Sequence, residues 1–379
     1  MMTICDLPVD LVEDEIISRL PMTSLRSVRY TCKTWNTLCK NRIFFGKPKK
    51  HFLMMDSWRI CLMNFDLSKG GNPSIRQESI LDQIQISNVF HCDGLLLCVL
   101  KDSSRLVVWN PYSGQTRWIE PRHSFQFRDS FSLGYDSNLN HKILRIFDEI
   151  HPVTSRHVLG FEIYCLSSGS WKFLDVVNTH WEILSNVRSV SLKGNTYFTA
   201  QKIITEGNTI KSFGGFFVCF DFTTERFGPL RPLPSQPEHG RFSICLSCVR
   251  EDQLAVLYQQ LDNTVEISVT DKISPDVVSW TKFLKLLIGS WVNPFSRSLF
   301  IDEEKKVAVV FSLELGKACF YQTAHVIGQD GYFKSVRIGE ALNVDILNYC
   351  APLVCSSYLP SLLQIKATNR TNGKNVIIH

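Results

Sequence analysis

Apolar residues at the start of the chain recur with the spacing of a helix. The first stripe consists of Val9, Val12, Ile16 and Leu20, three or four residues apart, and Pro21 would end its helix. Two short stripes follow, formed by Met22, Leu25 and Val28 and then by Cys32, Trp35, Leu38 and Cys39. The pattern predicts three short helices over residues 7–41. Because so short a segment cannot bury this much apolar surface by itself, we expect another protein to cover part of it.

The pattern changes at residues 46–51, where Gly, Pro and Lys residues interrupt it. Beyond this point, apolar residues come in short runs separated by Gly, Pro, Asn and Asp, which is typical of β-strands and turns. Residues 51–55 and 59–63 predict a first hairpin, and Asp93-Gly94 predicts a turn before a strand. The sequence therefore predicts an N-terminal domain over residues 1–46, a linker over 47–51 and a β-rich domain over 52–379.

A loose repeat runs through the β-rich part. Each copy is a strand, a polar turn and a second strand that ends on an aromatic residue, as in residues 108–118. The equivalent positions are Trp109, Tyr164, Phe220, Val269 and Phe320. They stand about 50 residues apart, the period of kelch-type propeller blades. Because a propeller shields sheet edges, we predict a mostly β, irregular kelch-type propeller, with a length that suits six or seven blades.

The composition is that of a folded protein with reduced cysteines. Of its 379 residues, 44% are hydrophobic and 20% charged, which is typical of globular domains. We expect no membrane span, because no uncharged apolar run reaches about eighteen residues, and no secretory signal, because the first residues lack a basic region and an apolar core. The 13 cysteines are scattered through apolar runs, so we expect core thiols and a cytoplasmic or nuclear location.

Positive charge is concentrated near the N-terminus. The net charge is +5, and residues 26–50 carry eight basic side chains and no acidic one. A basic segment of this kind can meet nucleic acid or an acidic protein. Since it has no recognition-helix pattern, we expect no binding of nucleic acid.

Two stretches of the β-rich part could carry chemistry. Cys245 and Cys248 form a lone CxxC, whereas a zinc site needs two further ligands at suitable spacing. His91, Cys92 and Asp93 are adjacent, but neighbours on a strand point to opposite faces and cannot form one relay. We therefore expect structural roles for both stretches, and no catalytic residue, metal site or cofactor. A propeller hydrolase or transferase that uses Cys or His residues is the alternative enzymatic hypothesis.

The N-terminal segment resembles the F-box. The matching residues are Leu7, Pro8, Asp10, Leu11, Ile16, Ile17, Arg19, Leu20, Pro21, Ser24, Leu25, Arg29, Cys32, Lys33, Trp35 and Leu38. The resemblance implies a domain that docks on an acidic Skp-type adaptor and, through it, on a cullin–RING ubiquitin ligase. The residues implied in the adaptor contact are Leu7, Pro8, Leu11, Ile16, Leu20, Pro21, Leu25, Val28, Cys32, Trp35 and Leu38. By this resemblance, the chain would be the non-catalytic substrate receptor of such a ligase.

The β-rich part resembles the F-box-associated domain found behind many plant F-boxes. The motifs that carry the resemblance are residues 92–96, 109–111, 133–136, 161–164 and 358–362. Together the two resemblances imply an α+β class, with a small three-helix F-box followed by a mostly β, kelch-like propeller that recruits a target protein. The alternative is a propeller binding module or lectin that acts outside a ligase.

Overall fold

The computed structural model describes part of the N-terminal segment and most of the β-rich part. The described N-terminal residues are 8, 12, 16, 28 and 33–38. The other described residues are 51–56, 59–67, 73–80, 85–126, 129–150, 157–176, 181–183, 189–206, 209–234, 243–249, 252–271, 273, 278–288, 298–316, 319–341, 361 and 363–365.

The described residues from 51 onward form six antiparallel sheets, which we call A to F in chain order. Sheet A has β1 (His51–Asp56), β2 (Arg59–Leu67) and β3 (Pro73–Ile80). Sheet B has β4 (Ile86–Cys92), β5 (Leu95–Leu100), β6 (Leu106–Asn110) and β7 (Gln115–Ile119). Sheet C has β8 (Ser130–Tyr135), β9 (His141–Ile150), β10 (His157–Cys165) and β11 (Ser170–Leu174).

The other three sheets follow the same plan, with sheet D the least regular. Sheet D has β12 (Trp181–Ile183), β13 (Val190–Leu192), β14 (Asn195–Glu206), β15 (Thr209–Asp221), β16 (Arg226–Phe227) and β17 (Arg231–Pro232). Sheet E has β18 (Ser243–Val249), β19 (Gln253–Gln259), β20 (Thr264–Thr270) and β21 (Trp280–Leu287). Sheet F has β22 (Ser298–Asp302), β23 (Val307–Leu315), β24 (Phe320–Gly328) and β25 (Phe333–Ala341).

The sheets are arranged in a ring. Apolar clusters join B to C, C to D, D to E and E to F, so each sheet is buried against the next one in the chain. A further cluster joins Cys61 and Met63 of sheet A to Phe311 of sheet F, which brings the first sheet against the last. In the described part of the chain, five of the sheets have four or more strands, which gives five blades and not the six or seven that the chain length suggested. This is the architecture of a β-propeller, as predicted.

The first strand of sheets B, C, E and F, and β13 of sheet D, lie nearest the axis of the ring. Among the described strands, these inner strands contact one another: β4 with β8, β8 with β13, β13 with β18, and β18 with β22. Serine hydroxyls link them, because Ser191 Oγ donates to the Leu133 carbonyl at 2.5 Å and Ser247 Oγ to the Leu299 carbonyl at 2.6 Å. Each of these bonds gives a backbone carbonyl oxygen of an inner strand a hydrogen-bond partner, which a buried carbonyl needs.

The predicted repeat is correct in four copies and wrong in the fifth. Trp109, Tyr164, Phe220 and Val269 each occupy the penultimate residue of the third strand of their sheet. Phe320 also lies on a third strand, but it begins that strand, and Ile327 occupies the equivalent place. The real fifth turn follows Gly328, and the second strand begins at Phe333. The prediction relied on the aromatic pair at residues 320–321. The residue that actually precedes this turn at the equivalent position is Ile327, which is not aromatic.

The predicted turns are confirmed in the described part of the chain. β1 pairs with β2 as the expected first hairpin. Asp93 and Gly94 join β4 to β5 with φ values of 51° and 72°, both in the left-handed region that a tight hairpin turn requires. Gly214-Gly215 lies at a β-bulge between β14 and β15, where Gly215 has a φ of 89°. Residues 303–306 form the turn between β22 and β23.

Candidate adaptor-binding segment and propeller surfaces

The described N-terminal residues have the helical character that their spacing predicts. The Val12 amide donates to the Pro8 carbonyl at 3.0 Å, which is a bond of one helical turn. Residues 33–38 are helical, and the Thr37 hydroxyl donates to the Lys33 carbonyl at 3.1 Å. Trp35 and Leu38 are buried on one face of this turn, whereas Thr34 is exposed on another. The predicted apolar stripe is therefore present at residues 33–38.

The residues implied in the adaptor contact differ in exposure where the structure describes them. Pro8 is exposed, Ile16 and Val28 are half-buried, and Trp35 and Leu38 are buried within the chain itself. Burial within the chain gives Trp35 and Leu38 the position of supports behind a surface. Leu7, Leu11, Leu20, Pro21, Leu25 and Cys32 lie outside the described residues. Their contact with an adaptor stays a prediction.

The propeller has two different ends. At the turn end, tight turns join the first to the second and the third to the fourth strands, as at residues 193–194 and 222–225. At the loop end, the second and third strands are joined and the chain crosses from one sheet to the next. Leu261, Leu287 and Leu315 lie at the loop end of sheets E and F, and each is more than half exposed. Scattered exposed leucines are common on folded proteins, so they identify no partner.

A buried charged group in sheet C is centred on Arg145. Its Nε lies 2.8 Å from Asp129 Oδ2, and its Nη1 lies 3.0 Å from Glu162 Oε2. The guanidinium also lies over the rings of Phe125 and Phe147, at 5.0 and 4.7 Å. Two carboxylates share this one guanidinium, and burial raises the pKa of Asp129, although the Gln126 amide and Arg145 act against it. The group therefore places two carboxyl groups against one guanidinium.

A second charged group, centred on Lys142, joins sheets C and D at the turn end. Lys142 Nζ lies 3.0 Å from both the Phe222 carbonyl oxygen and Glu225 Oε1, and 3.2 Å from Asp136 Oδ2. Lys172 Nζ lies 2.9 Å from Glu225 Oε2. Burial acts to raise the pKa of Glu225, but the two lysines outweigh it and hold the pKa below its usual value. This balanced set of two cations and two anions stabilises the contact between sheets.

The CxxC at residues 245–248 and the His-Cys-Asp stretch at residues 91–93 occupy structural positions in the sheets. Cys245 and Cys248 lie on β18 and pack into different clusters, on the E/F and D/E sides, so they cannot bind one metal ion together. Among the described residues, no group of three His, Cys, Asp or Glu side chains is arranged to hold a metal. His91 Nε2 accepts a hydrogen bond from the Gly94 amide at 3.1 Å, and Cys92 is buried in the B/C core. None of the eight cysteines in the described part is in a disulfide.

Sequence reasoning missed both charged groups. Lys142 and Arg145 stand three residues apart on β9, next to the buried apolar residues Ile143, Leu144 and Ile146. Charged residues inside an apolar strand are a usable signal, because charged side chains are almost never buried without partners. The partners could not be identified, since Glu225 is in another sheet and Asp129 is in the loop before β8.

Comparison with known proteins covers nearly the whole chain. The family described as "F-box domain" matches residues 4–47, and the family described as "F-box associated beta propeller domain" matches residues 50–365. An F-box/kelch-repeat protein of Arabidopsis thaliana is 53% identical over 97% of this chain and 97% of its own length. A putative F-box protein and an F-box protein of the same plant are 50% and 46% identical, over 96% and 97% of this chain and 100% of their own lengths.

The described residues include no helix long and apolar enough to cross a membrane. The ring of antiparallel sheets, the helical turn at residues 33–38 and the matches on both sides of residue 50 agree with one another. The chain therefore belongs to the F-box proteins that carry an F-box associated beta propeller domain.

Proposed function

We propose that this chain is the substrate-recognition subunit of a Skp–cullin–F-box ubiquitin ligase. The observation that carries the proposal is the joining, in one chain, of an F-box match at residues 4–47 to a propeller match at residues 50–365. The F-box, as three short helices within residues 1–46, docks on the Skp-type adaptor. The propeller, from residue 52 onward, recruits a target protein in the cytoplasm or nucleus.

In this role the chain holds the target protein in place and performs no chemical step itself. A target held next to a charged ubiquitin-conjugating enzyme is present at a high effective concentration, which accelerates transfer without a catalytic residue in the receptor. The described propeller suits this role because its buried cations Lys142 and Arg145 have structural partners. The basic residues between positions 26 and 50 suit an acidic adaptor through charge complementarity.

The adaptor contact is tested by placing a charge in the apolar stripe. Leu20→Asp would bury an unpaired carboxylate against the adaptor, which costs several kcal/mol. We expect adaptor affinity to fall at least about 100-fold in a binding titration, since about 1.4 kcal/mol corresponds to a factor of ten. Thr34→Asp is the matched control, because Thr34 is exposed and is not among the predicted contacts.

Full adaptor binding by the Leu20→Asp chain would show that the assigned surface is wrong. Failure of the unaltered chain to co-purify with adaptor and cullin would overturn the receptor function itself. The propeller would then act as a binding module outside a ligase. Circular dichroism of the variants shows whether a loss of binding comes from a loss of folding.

A further inference from the structure

A chain of hydrogen bonds crosses sheet F from its core to its outer strand. His325 of β24 is 1% exposed, and its two ring nitrogens contact serines of the neighbouring strands. Nε2 lies 2.9 Å from Ser312 Oγ on β23, which is fully buried, and Nδ1 lies 2.8 Å from Ser335 Oγ on β25. Because Ser335 is exposed, the chain of hydrogen bonds ends at the protein surface.

A carboxylate lies near the imidazole on its Nε2 side. Glu314 Oε1 is 3.6 Å from His325 Nε2, and the Thr323 hydroxyl donates to Glu314 Oε2 at 3.1 Å. A negative charge favours a proton on the ring nitrogen that faces it. With that proton on Nε2, Nδ1 is the acceptor of the neutral ring, and the Ser335 hydroxyl donates to it.

The fold does not require a histidine at this position. His325 stands two residues before Ile327, the penultimate residue of its strand. The equivalent residues of sheets B, D and E are buried and apolar, namely Val107, Val218 and Ile267. Since apolar residues fill a core at least as well as buried polar groups do, packing does not explain why sheet F has an imidazole here.

The order of hydroxyl, imidazole and carboxylate is the one that activates a serine. A serine hydroxyl is a weak nucleophile by itself, and an adjacent base that takes its proton makes it reactive. In sheet F the base is His325 Nδ1, and the Glu314 carboxylate stabilises the imidazolium that results. Ser335 lies on the outer strand of the sheet, so a ligand reaches it from the solvent.

We propose that Ser335 is a reactive serine that takes an acyl group from a small carboxylic ester, with His325 as its base and Glu314 as a positioning residue. A bond forms from Ser335 Oγ to the carbonyl carbon of the ester while His325 Nδ1 takes the hydroxyl proton. The bond between the acyl group and the alcohol oxygen then breaks, and the alcohol leaves with that proton. The products are an acylated Ser335 and a free alcohol. The proposal does not depend on the receptor function.

A fluorophosphonate tests the serine directly, because its phosphorus bonds to an activated serine oxygen and fluoride leaves. The full chain is treated with a biotin-tagged fluorophosphonate, and mass spectrometry of its peptides gives the labelling rate at each serine. We expect Ser335 to be labelled at least about 10-fold faster than Ser170. Ser170 is the internal control, because it is also exposed on an outer strand but its hydroxyl contacts that of Ser168. Equal rates would overturn the proposal.

Two substitutions separate activation from packing. His325→Gln retains a side chain that forms hydrogen bonds but removes the base, so we expect labelling of Ser335 to fall at least about 10-fold. Glu314→Gln removes the carboxylate charge, and we expect a smaller fall because Glu314 acts only through the imidazole. An unchanged labelling rate in a folded His325→Gln chain, as judged by circular dichroism, would contradict the role of His325 as the base and overturn the proposal.

A pair of surface substitutions gives a measurement that leaves the core unaltered. The Ser335→Cys and Ser170→Cys chains are treated with iodoacetamide, and alkylation at each new thiol is followed by mass spectrometry. The imidazole of His325 accepts the thiol proton and so favours the reactive thiolate. We expect alkylation at position 335 to be at least about 10-fold faster than at position 170. Similar rates at the two positions would also overturn the proposal.

Discussion

Glu225 has a left-handed backbone conformation, and glycine occupies the equivalent position in the turns of sheets B and C. Its φ is 55°, and the corresponding residues of sheets B and C are Gly114 and Gly169, with φ values of 66° and 70°. A residue with a side chain is strained in this left-handed region by about 1–2 kcal/mol. At this position the Glu225 carboxylate contacts both Lys142 and Lys172. The strain is therefore offset by an ionic contact between sheets C and D.

Two substitutions at this position separate strain from charge. Glu225→Ala loses the contact with Lys142 and keeps the strain, whereas Glu225→Gly loses the contact and releases the strain. We expect both to destabilise the protein, with the glycine variant more stable than the alanine variant by about 1 kcal/mol. Urea unfolding at pH 7 measures the difference. An alanine variant as stable as the glycine variant would show that the φ value of Glu225 carries no strain.

At the scale of elements, strand β9 combines two tasks. Its apolar residues Ile143, Leu144 and Ile146 pack in the B/C and C/D clusters, and its charged residues hold the loop before β8 and the turn after β15. Arg145 also fixes the loop before β8, because its guanidinium donates to the Ser124 carbonyl at 3.1 Å. A strand in the middle of a sheet thus positions connections that lie outside the sheet.

Removal of Arg145 should lower the unfolding free energy far more than removal of one of its two carboxyl partners. Arg145→Met leaves the carboxylates of Asp129 and Glu162 buried without a cation, and we expect a loss of about 3–5 kcal/mol in unfolding free energy. Asp129→Asn removes one of the two carboxyl groups and leaves one guanidinium facing one carboxyl group, so we expect a change within about 1 kcal/mol. Denaturant unfolding of both variants makes the comparison. Similar losses would mean that the charge balance of the group does not matter.

At the scale of the whole molecule, stability should depend on pH through two histidines, of which His141 is buried and His91 is half-buried. Burial lowers the pKa of both His91 and His141 to about 4, from an ordinary value of 6.5. The unfolded chain therefore binds more protons than the folded chain between pH 4 and pH 6.5. Unfolding free energy rises with pH across this window by about 1.4 kcal/mol per pH unit for each histidine, and stability is lost as the pH falls.

Replacement of one histidine tests this dependence. His141→Gln should reduce the slope of unfolding free energy between pH 4 and pH 6.5 by about 1.4 kcal/mol per pH unit. His123→Gln is the matched control, because His123 is exposed. Urea unfolding at half-unit pH steps measures the slope. An unchanged slope in the His141→Gln chain would contradict the assignment of this histidine as buried and neutral.

The predictions from sequence succeeded where the signal lies within a few residues. Alternating and continuous apolar runs indicated the strands, Asp93-Gly94 indicated a tight turn, and four of the five repeat positions lie where the sheets require them. The fifth, Phe320, failed because aromatic character is only a partial marker of the third strand. The F-box was recognised from its motif, and the adaptor surface within it remains a prediction.

Local pattern by itself therefore predicted a helical N-terminal segment, of which the structure describes a helical turn at residues 33–38, and determined a repeated, strand-rich remainder. Only the tertiary structure decided which distant groups meet: Arg145 with Asp129, Lys142 with Glu225, and the Asn110 side chain with the Ser361 carbonyl. The physical reason is the distance along the sequence between the groups that interact. A strand or turn is specified by neighbouring residues, whereas a buried charge or amide is satisfied by whatever group the closed ring brings beside it, and that group can come from any part of the chain.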